Sequence, residues 1–104
     1  MELKKLLVGL EGIKGKGKLD IEINGVESNS KNIKEGYVFV AIKGFSVDGH
    51  DYIEKAVESG ATAVVVQQGC DLNLIKKLED ITVFMVPDTR IALSVISSNF
   101  YGNP

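Results

Sequence analysis

Tyr37-Val-Phe-Val-Ala-Ile42 is the stretch on which the fold turns. It is almost continuously apolar, without the polar alternation of a strand that faces water on one side, and so predicts a strand covered on both faces. Two further runs read the same way: Ala61-Thr-Ala-Val-Val-Val66, and Ile81-Thr-Val-Phe-Met-Val86, which Pro87 ends. Helical patterns separate and follow them. Tyr52, Ile53, Ala56 and Val57 form a stripe that Asp48 or Asp51 can cap and Gly60 stops. Leu74, Ile75 and Leu78 mark a helix over 71–78, and Ile91, Leu93, Val95, Ile96 and Phe100 another over 89–101. Buried strands alternating with helices mean βαβ units around a largely parallel sheet.

Upstream, Leu3, Leu6, Leu7 and Leu10 space an amphipathic helix, and the Gly- and Lys-rich residues 9–18 read as an exposed loop. Leu19, Ile21 and Ile23 alternate with Asp20, Glu22 and Asn24, the period of a half-buried strand. Asn24-Gly25 is a strong hairpin signal, with Val26 starting the returning strand. The expected fold is therefore α/β: a small three-layer domain with a mixed, mostly parallel sheet flanked by helices and an N-terminal β-hairpin.

The chain has 104 residues and 11.3 kDa, room for a single domain over 1–104 whose core buries roughly 60–70% of the unfolded surface. Twelve Lys and Arg against fourteen Asp and Glu leave a net charge of −2. No basic stripe with interleaved aromatics is present, which argues against nucleic acid and anionic membranes as partners. No apolar run reaches the ~18 residues of a membrane span. One cysteine, Cys70, and one histidine, His50, exclude a disulfide and clustered metal ligands. The compartment reads as cytoplasm. Gly102-Asn103-Pro104 is a helix exit with nothing after it, the ending expected of a cut boundary inside a longer protein.

Four local patterns invite chemistry. Gly12 to Gly17-Lys18 has the skeleton of a phosphate loop. However, Leu19 stands where Ser or Thr would hold magnesium, and the segment runs from helix to strand rather than strand to helix. Asp48 and His50 could form an acid–base pair, but no nucleophile adjoins them, and a loop-to-helix junction accounts for both. Cys70 sits beside Gly69 in a surface turn. Asp88 and Arg90 read as a helix entry, with a ribose contact as the functional alternative. No catalytic residue is assigned. Position says more: the polar loops 28–31 and 44–49 flank the same buried strand, and open α/β sheets bind ligands outside strand ends. Ser28 and Ser30 bring hydroxyls, Lys31 a cation and 44–47 backbone groups, a set suited to a polar phosphate-bearing molecule.

Four strings then carry a resemblance: Ser28-Asn-Ser-Lys31, Gly36-Tyr-Val-Phe-Val-Ala-Ile-Lys-Gly-Phe-Ser-Val-Asp-Gly-His-Asp-Tyr-Ile53, Ala56 through Gly60-Ala61, and Asn99-Phe-Tyr-Gly-Asn-Pro104. From about Leu3 to Pro104 the chain resembles the N-terminal domain of the Mur ligases, most of all the type that adds the third residue of the peptidoglycan stem peptide. The resemblance implies a domain that holds the UDP end of UDP-MurNAc-L-Ala-D-Glu. Ser30 matches the serine of the family's Asp-Ser-Arg motif that contacts the uridine part, and Ser28 stands two before it. Phe45, Ser46 and Val47 match the residues along the uracil. Asn29 and Lys31 replace the family's Asp and Arg, and Lys lacks Arg's planar two-pronged grip. The resemblance further implies ATP and Mg2+ as cofactors of the full-length ligase, none of them held by this fragment, and ATP-binding and C-terminal domains as partners within the parent chain. The Gly-Thr-Asn-Gly-Lys-Thr ATP loop is absent from these residues, so the 104-residue chain alone is expected to bind substrate without turnover. The corresponding domain of the D-Ala-D-Ala-adding Mur ligase and a non-enzymatic α/β ligand-binding or interaction module stand as alternatives.

Overall fold

The computed structural model describes residues 1–70, 73, 78 and 80–102. Five strands form one sheet: β1 (Lys14–Lys16), β2 (Gly25–Glu27), β3 (Tyr37–Val40), β4 (Ala63–Gln67) and β5 (Thr82–Val86), in the order β1-β5-β4-β3-β2. The last four are mutually parallel, and β1 closes one edge antiparallel to β5. Three helices accompany them among the described residues: α1 (Leu3–Leu6), α2 (Ile53–Glu58) and α3 (Thr89–Tyr101). The helix expected over 71–78 lies largely outside the described residues.

The three apolar runs are the three central strands, and their side chains divide by parity into two cores. Val38, Val40, Ala63, Val65, Phe84 and Val86 face α1 and α3 through Leu3, Leu6, Ala92 and Ile96. Phe39, Ala41, Val64, Val66 and Val83 face the other way, against Ile33, Ile53, Ala56 and Leu78. That is the three-layer α/β arrangement: adjacent side chains on a strand point to opposite faces, so a sheet covered twice needs apolar residues throughout. Each fully buried Val or Phe contributes about 1.5–3 kcal/mol. On α3 the stripe is narrower than its spacing predicts. Thr89, Ala92 and Ile96 are buried, whereas Ile91 is 61% exposed.

Two N-terminal expectations are overturned. There is no β-hairpin at Asn24-Gly25: β2 pairs parallel to β3, with Gly25 opposite Tyr37 and Val26 opposite Val38. Asn24 does not turn the chain back. Its N–H donates to the Gly36 carbonyl at 2.9 Å, and its side-chain amide donates to the Glu35 carbonyl at 3.2 Å. A parallel neighbour already covered on both faces outweighs the local turn preference. Residues 19–23 do not form a strand of the sheet either. They run beside the first residues of the chain, with backbone bonds from Leu3 to Ile21, Lys4 to Leu19 and Ile23 to Met1 at 2.9–3.0 Å. The alternation has a packing reason over 21–24, where Ile23 is buried and Ile21 partly buried while Glu22 and Asn24 are exposed, but Leu19 departs from it at 44% exposed. The third change is inside the supposed loop 9–18, where the fully exposed Lys14–Lys16 forms the edge strand.

Candidate functional site

The carboxyl ends of β2 and β3 open into a cleft of about 410 Å³, within the range of small-molecule sites. Its polar lining comes from Ser28, Asn29, Ser30 and Lys31, and its apolar lining from Phe39, Ile42, Val47 and Tyr52.

The first wall is built by short-range hydrogen bonds. Glu27, the last residue of β2, accepts the N–H groups of Ser28 and Asn29 on one carboxylate oxygen, both at 3.1 Å. Asn29 Oδ1 then accepts the Lys31 N–H at 3.0 Å, starting a 3₁₀ turn over Ser30–Asn32. Asn at this position thus performs the capping that a short carboxylate would. Ser30 is only 7% exposed, whereas Lys31 is exposed.

The second wall is the loop after β3. Gly44 N–H donates to the Val47 carbonyl and Gly49 N–H to the Ile42 carbonyl, each at 2.8 Å, closing residues 42–49 into a tight excursion. Gly49 is required by space: a Cβ there would lie 2.7 Å from the Ile42 nitrogen and 3.0 Å from its oxygen. Phe45 at the tip is fully exposed and Val47 is 54% exposed, an arrangement costly in water and suited to covering a flat ring.

Of the sequence-designated residues, Ser28, Ser30 and Val47 line the one cleft, across it from each other in chain terms. Phe45 and Ser46 belong to the same loop but are turned to solvent rather than lining the cleft. Tyr52, expected on the buried stripe of a helix, instead ends a 3₁₀ turn (Gly49–Tyr52), is 39% exposed and lines the cleft. Phe39 and Ile42 were legible only as strand residues, because their share in the cleft depends on where the loop folds back.

Both ring nitrogens of His50 are engaged in hydrogen bonds. Its ring is buried, Nδ1 donates to Asp48 Oδ1 at 2.7 Å and Nε2 accepts the Gln67 N–H at 3.0 Å. Asp48 also caps the 3₁₀ turn by accepting the His50 N–H at 3.0 Å. Burial opposes ionisation of the Asp48 carboxyl, but the His50 N–H, the His50 ring and Lys43 outweigh it, holding the group below its ordinary 3.8. Asp88 is the N-cap of α3, accepting from Arg90 and Ile91 N–H at 2.9 and 3.3 Å. Cys70 is half-buried and packs against the Phe39 core. Among the described residues no three His, Cys, Asp or Glu side chains gather into a metal site.

Residues 12–18 do not have the geometry that holds the phosphates of ATP. The phosphate-loop look-alike is partly the edge strand β1, and no helix N-terminus follows it. Gly17 (φ +113°) serves a close crossing: a Cβ there would lie 2.6 Å from Thr82 Oγ1, the hydroxyl that donates to the Lys18 carbonyl at 3.0 Å.

A doubly covered parallel sheet with a cleft outside its strand ends is the architecture in which α/β folds place their ligands. Residues 22–101 match the Mur ligase family, catalytic domain, and the chain belongs to the Mur ligase family. All 104 residues align at 42% identity with a UDP-N-acetylmuramoyl-L-alanyl-D-glutamate--2,6-diaminopimelate ligase of Clostridium tetani, covering 21% of that protein. The equivalent ligase of Bacteroides fragilis aligns over the same length at 38%, again 21% of that protein. The chain thus spans about a fifth of the curated relatives it matches. Among solved structures, MurF from Acinetobacter baumannii superposes on 94% of this chain and 20% of its own, with a TM-score of 0.73 and 23% identity, a likeness of fold. MurF from Thermotoga maritima, solved with ADP, covers 74% of this chain and 16% of its own at 31% identity and a TM-score of 0.57.

Proposed function

We propose that this chain is the N-terminal, substrate-holding domain of a cytoplasmic ATP-dependent peptidoglycan-precursor ligase, and that its cleft takes the UDP end of UDP-MurNAc-L-Ala-D-Glu. The observation that carries this reading is the meeting of the 28–31 turn and the 44–47 loop across one cleft of about 410 Å³. In the proposed complex the Ser30 and Ser28 hydroxyls hydrogen-bond the uridine and Val47 lies along the uracil, with Phe45 and Ser46 extending that edge from the solvent side of the loop. The diaminopimelate ligases that match over the full chain support the type that adds the third stem residue. The MurF of Thermotoga maritima, 31% identical over 74% of this chain, keeps the D-Ala-D-Ala-adding type as the second reading.

The contribution to catalysis is positional. Binding a remote nucleotide fixes the far end of the substrate, so that the D-Glu carboxylate is delivered in register for phosphorylation and amine attack on other domains. ATP and Mg2+ belong to those domains. The chain alone is expected to show no ATPase and no ligase turnover.

Amide shift mapping of the labelled chain tests the reading, with UDP as ligand and ADP as control. Selective movement of amides in 28–31 and 44–48 with UDP is the expected result. Equal response to both nucleotides, or none to UDP and none to the full UDP-MurNAc dipeptide, would refute it.

A further inference from the structure

The loop that walls the cleft is fastened at both of its ends, and both fastenings lead to the first turn of α3. At the far end stands His50, 5% exposed. Its Nε2 lies 3.0 Å from the Gln67 backbone nitrogen, which can only donate, so Nε2 accepts and the ring proton is on Nδ1. That N–H donates to Asp48 at 2.7 Å. Gln67 is the last residue of β4, and its side-chain oxygen accepts from the Thr89 N–H at 3.4 Å and hydroxyl at 3.3 Å. Thr89 opens α3 and is fully buried. At the near end the neighbouring Arg90 guanidinium donates to the Lys43 carbonyl at 3.2 Å. None of His50, Gln67, Thr89 and Arg90 lines the cleft.

We infer that His50 is a positioning residue: its imidazole, held between Asp48 and Gln67, relayed through Gln67 and Thr89 and seconded by Arg90, sets the pose of the 44–47 loop relative to the 28–31 turn. The loop's own closure is two backbone hydrogen bonds, each worth about 0.5–1.5 kcal/mol net, too little to hold a tip that carries exposed Phe45 and Val47. Both ring nitrogens are committed, so the ring cannot turn over without losing Asp48 or Gln67. For the identity of the ligand the inference rests on the function proposed above. For the order of the loop it does not.

Two isosteric halves of the imidazole separate positioning from general stability. His50→Gln retains an acceptor at the reach of Nε2, and His50→Asn retains a donor toward Asp48 but falls short of Gln67. Amide hydrogen exchange on the 104-residue chain reads the loop, and UDP titration reads its consequence. In His50→Asn the Gly44 and Gly49 amides are expected to exchange roughly tenfold faster relative to amides of the β3–β4 ladder, with UDP affinity of the folded variant weakened by a similar factor. His50→Gln should restore both to within about threefold. Loss of protection spread evenly over loop and ladder would make His50 merely structural and overturn the inference. So would unchanged UDP affinity in a folded His50→Asn variant when the parent chain binds UDP. If the parent binds no UDP, the proposed function falls and the exchange comparison still decides the positioning role. Should His50→Asn not fold, the exposed Arg90→Gln change decides it: faster exchange confined to Gly44 supports the inference, and an unaltered loop overturns it.

Discussion

Gly49→Ala should cost far more than its one methyl group implies. The position has no left-handed backbone to protect, so conformational strain is not the reason. The reason is space. An added Cβ lies 2.7 Å from the Ile42 nitrogen, 3.0 Å from its oxygen and 3.4 Å from the Ala41 carbonyl carbon. All three are backbone atoms held at the end of β3, where Ala41 N–H also donates to the Val65 carbonyl at 2.9 Å, so none can rotate aside. Relief requires the loop to move away, which gives up the 2.8 Å bond from Gly49 N–H to the Ile42 carbonyl. Overpacking of this kind costs about 1–3 kcal/mol, and the lost hydrogen bond about 0.5–1.5. The sum, roughly 2–4 kcal/mol, corresponds to a fall in Tm of about 8–32 °C for a domain of this size. Urea unfolding followed by circular dichroism measures it, with Gly69→Ala as a comparison in which nothing lies within 4 Å and only a φ of +89° is strained. A Gly49→Ala cost below about 0.5 kcal/mol, with the Gly49 amide still protected, would show that the close approach does not constrain the loop.

Asp88→Ala removes the acceptor for two N–H groups at the start of α3 and should cost about 1 kcal/mol in thermal or urea unfolding, with Asp88→Asn close to neutral. Ser30→Ala should leave folding nearly unchanged while lowering UDP affinity roughly tenfold, the share of one well-placed hydrogen bond, as read by shift titration. Stability should also fall in acid through Asp48. Its folded pKa lies below its unfolded value, so its contribution is complete above the unfolded value of 3.8 and lost as the pH falls through the folded one. Unfolding free energy measured between about pH 5 and pH 2.5 should therefore drop less steeply in Asp48→Asn.

What the sequence determined by itself are the parts whose burial is complete. The runs over 37–42, 61–66 and 81–86 are apolar on both faces because each strand is covered twice, and composition alone records that. The helix over 89–101 was legible for a similar reason, with Asp88 as its cap and a one-sided apolar stripe. The two loops of the candidate site were legible as places, because polar turns flanking a buried strand fall at its ends.

Only the tertiary structure decided the partners. Lys14–Lys16 has no apolar signal because an edge strand is held by backbone bonds to β5, and its side chains stay in water. Asn24-Gly25 carries a local turn preference worth little beside a parallel ladder to β3, which forms between segments a crossover apart. Asp48 and His50 are neighbours in the chain, so their mutual bond was within reach of the sequence. The Gln67 N–H that settles the tautomer lies 17 residues away, and the Thr89 contact a further 22. Periodicity records which face of an element is dry. It does not record which distant backbone group arrives to meet a buried ring, because that depends on how strands are ordered in the sheet.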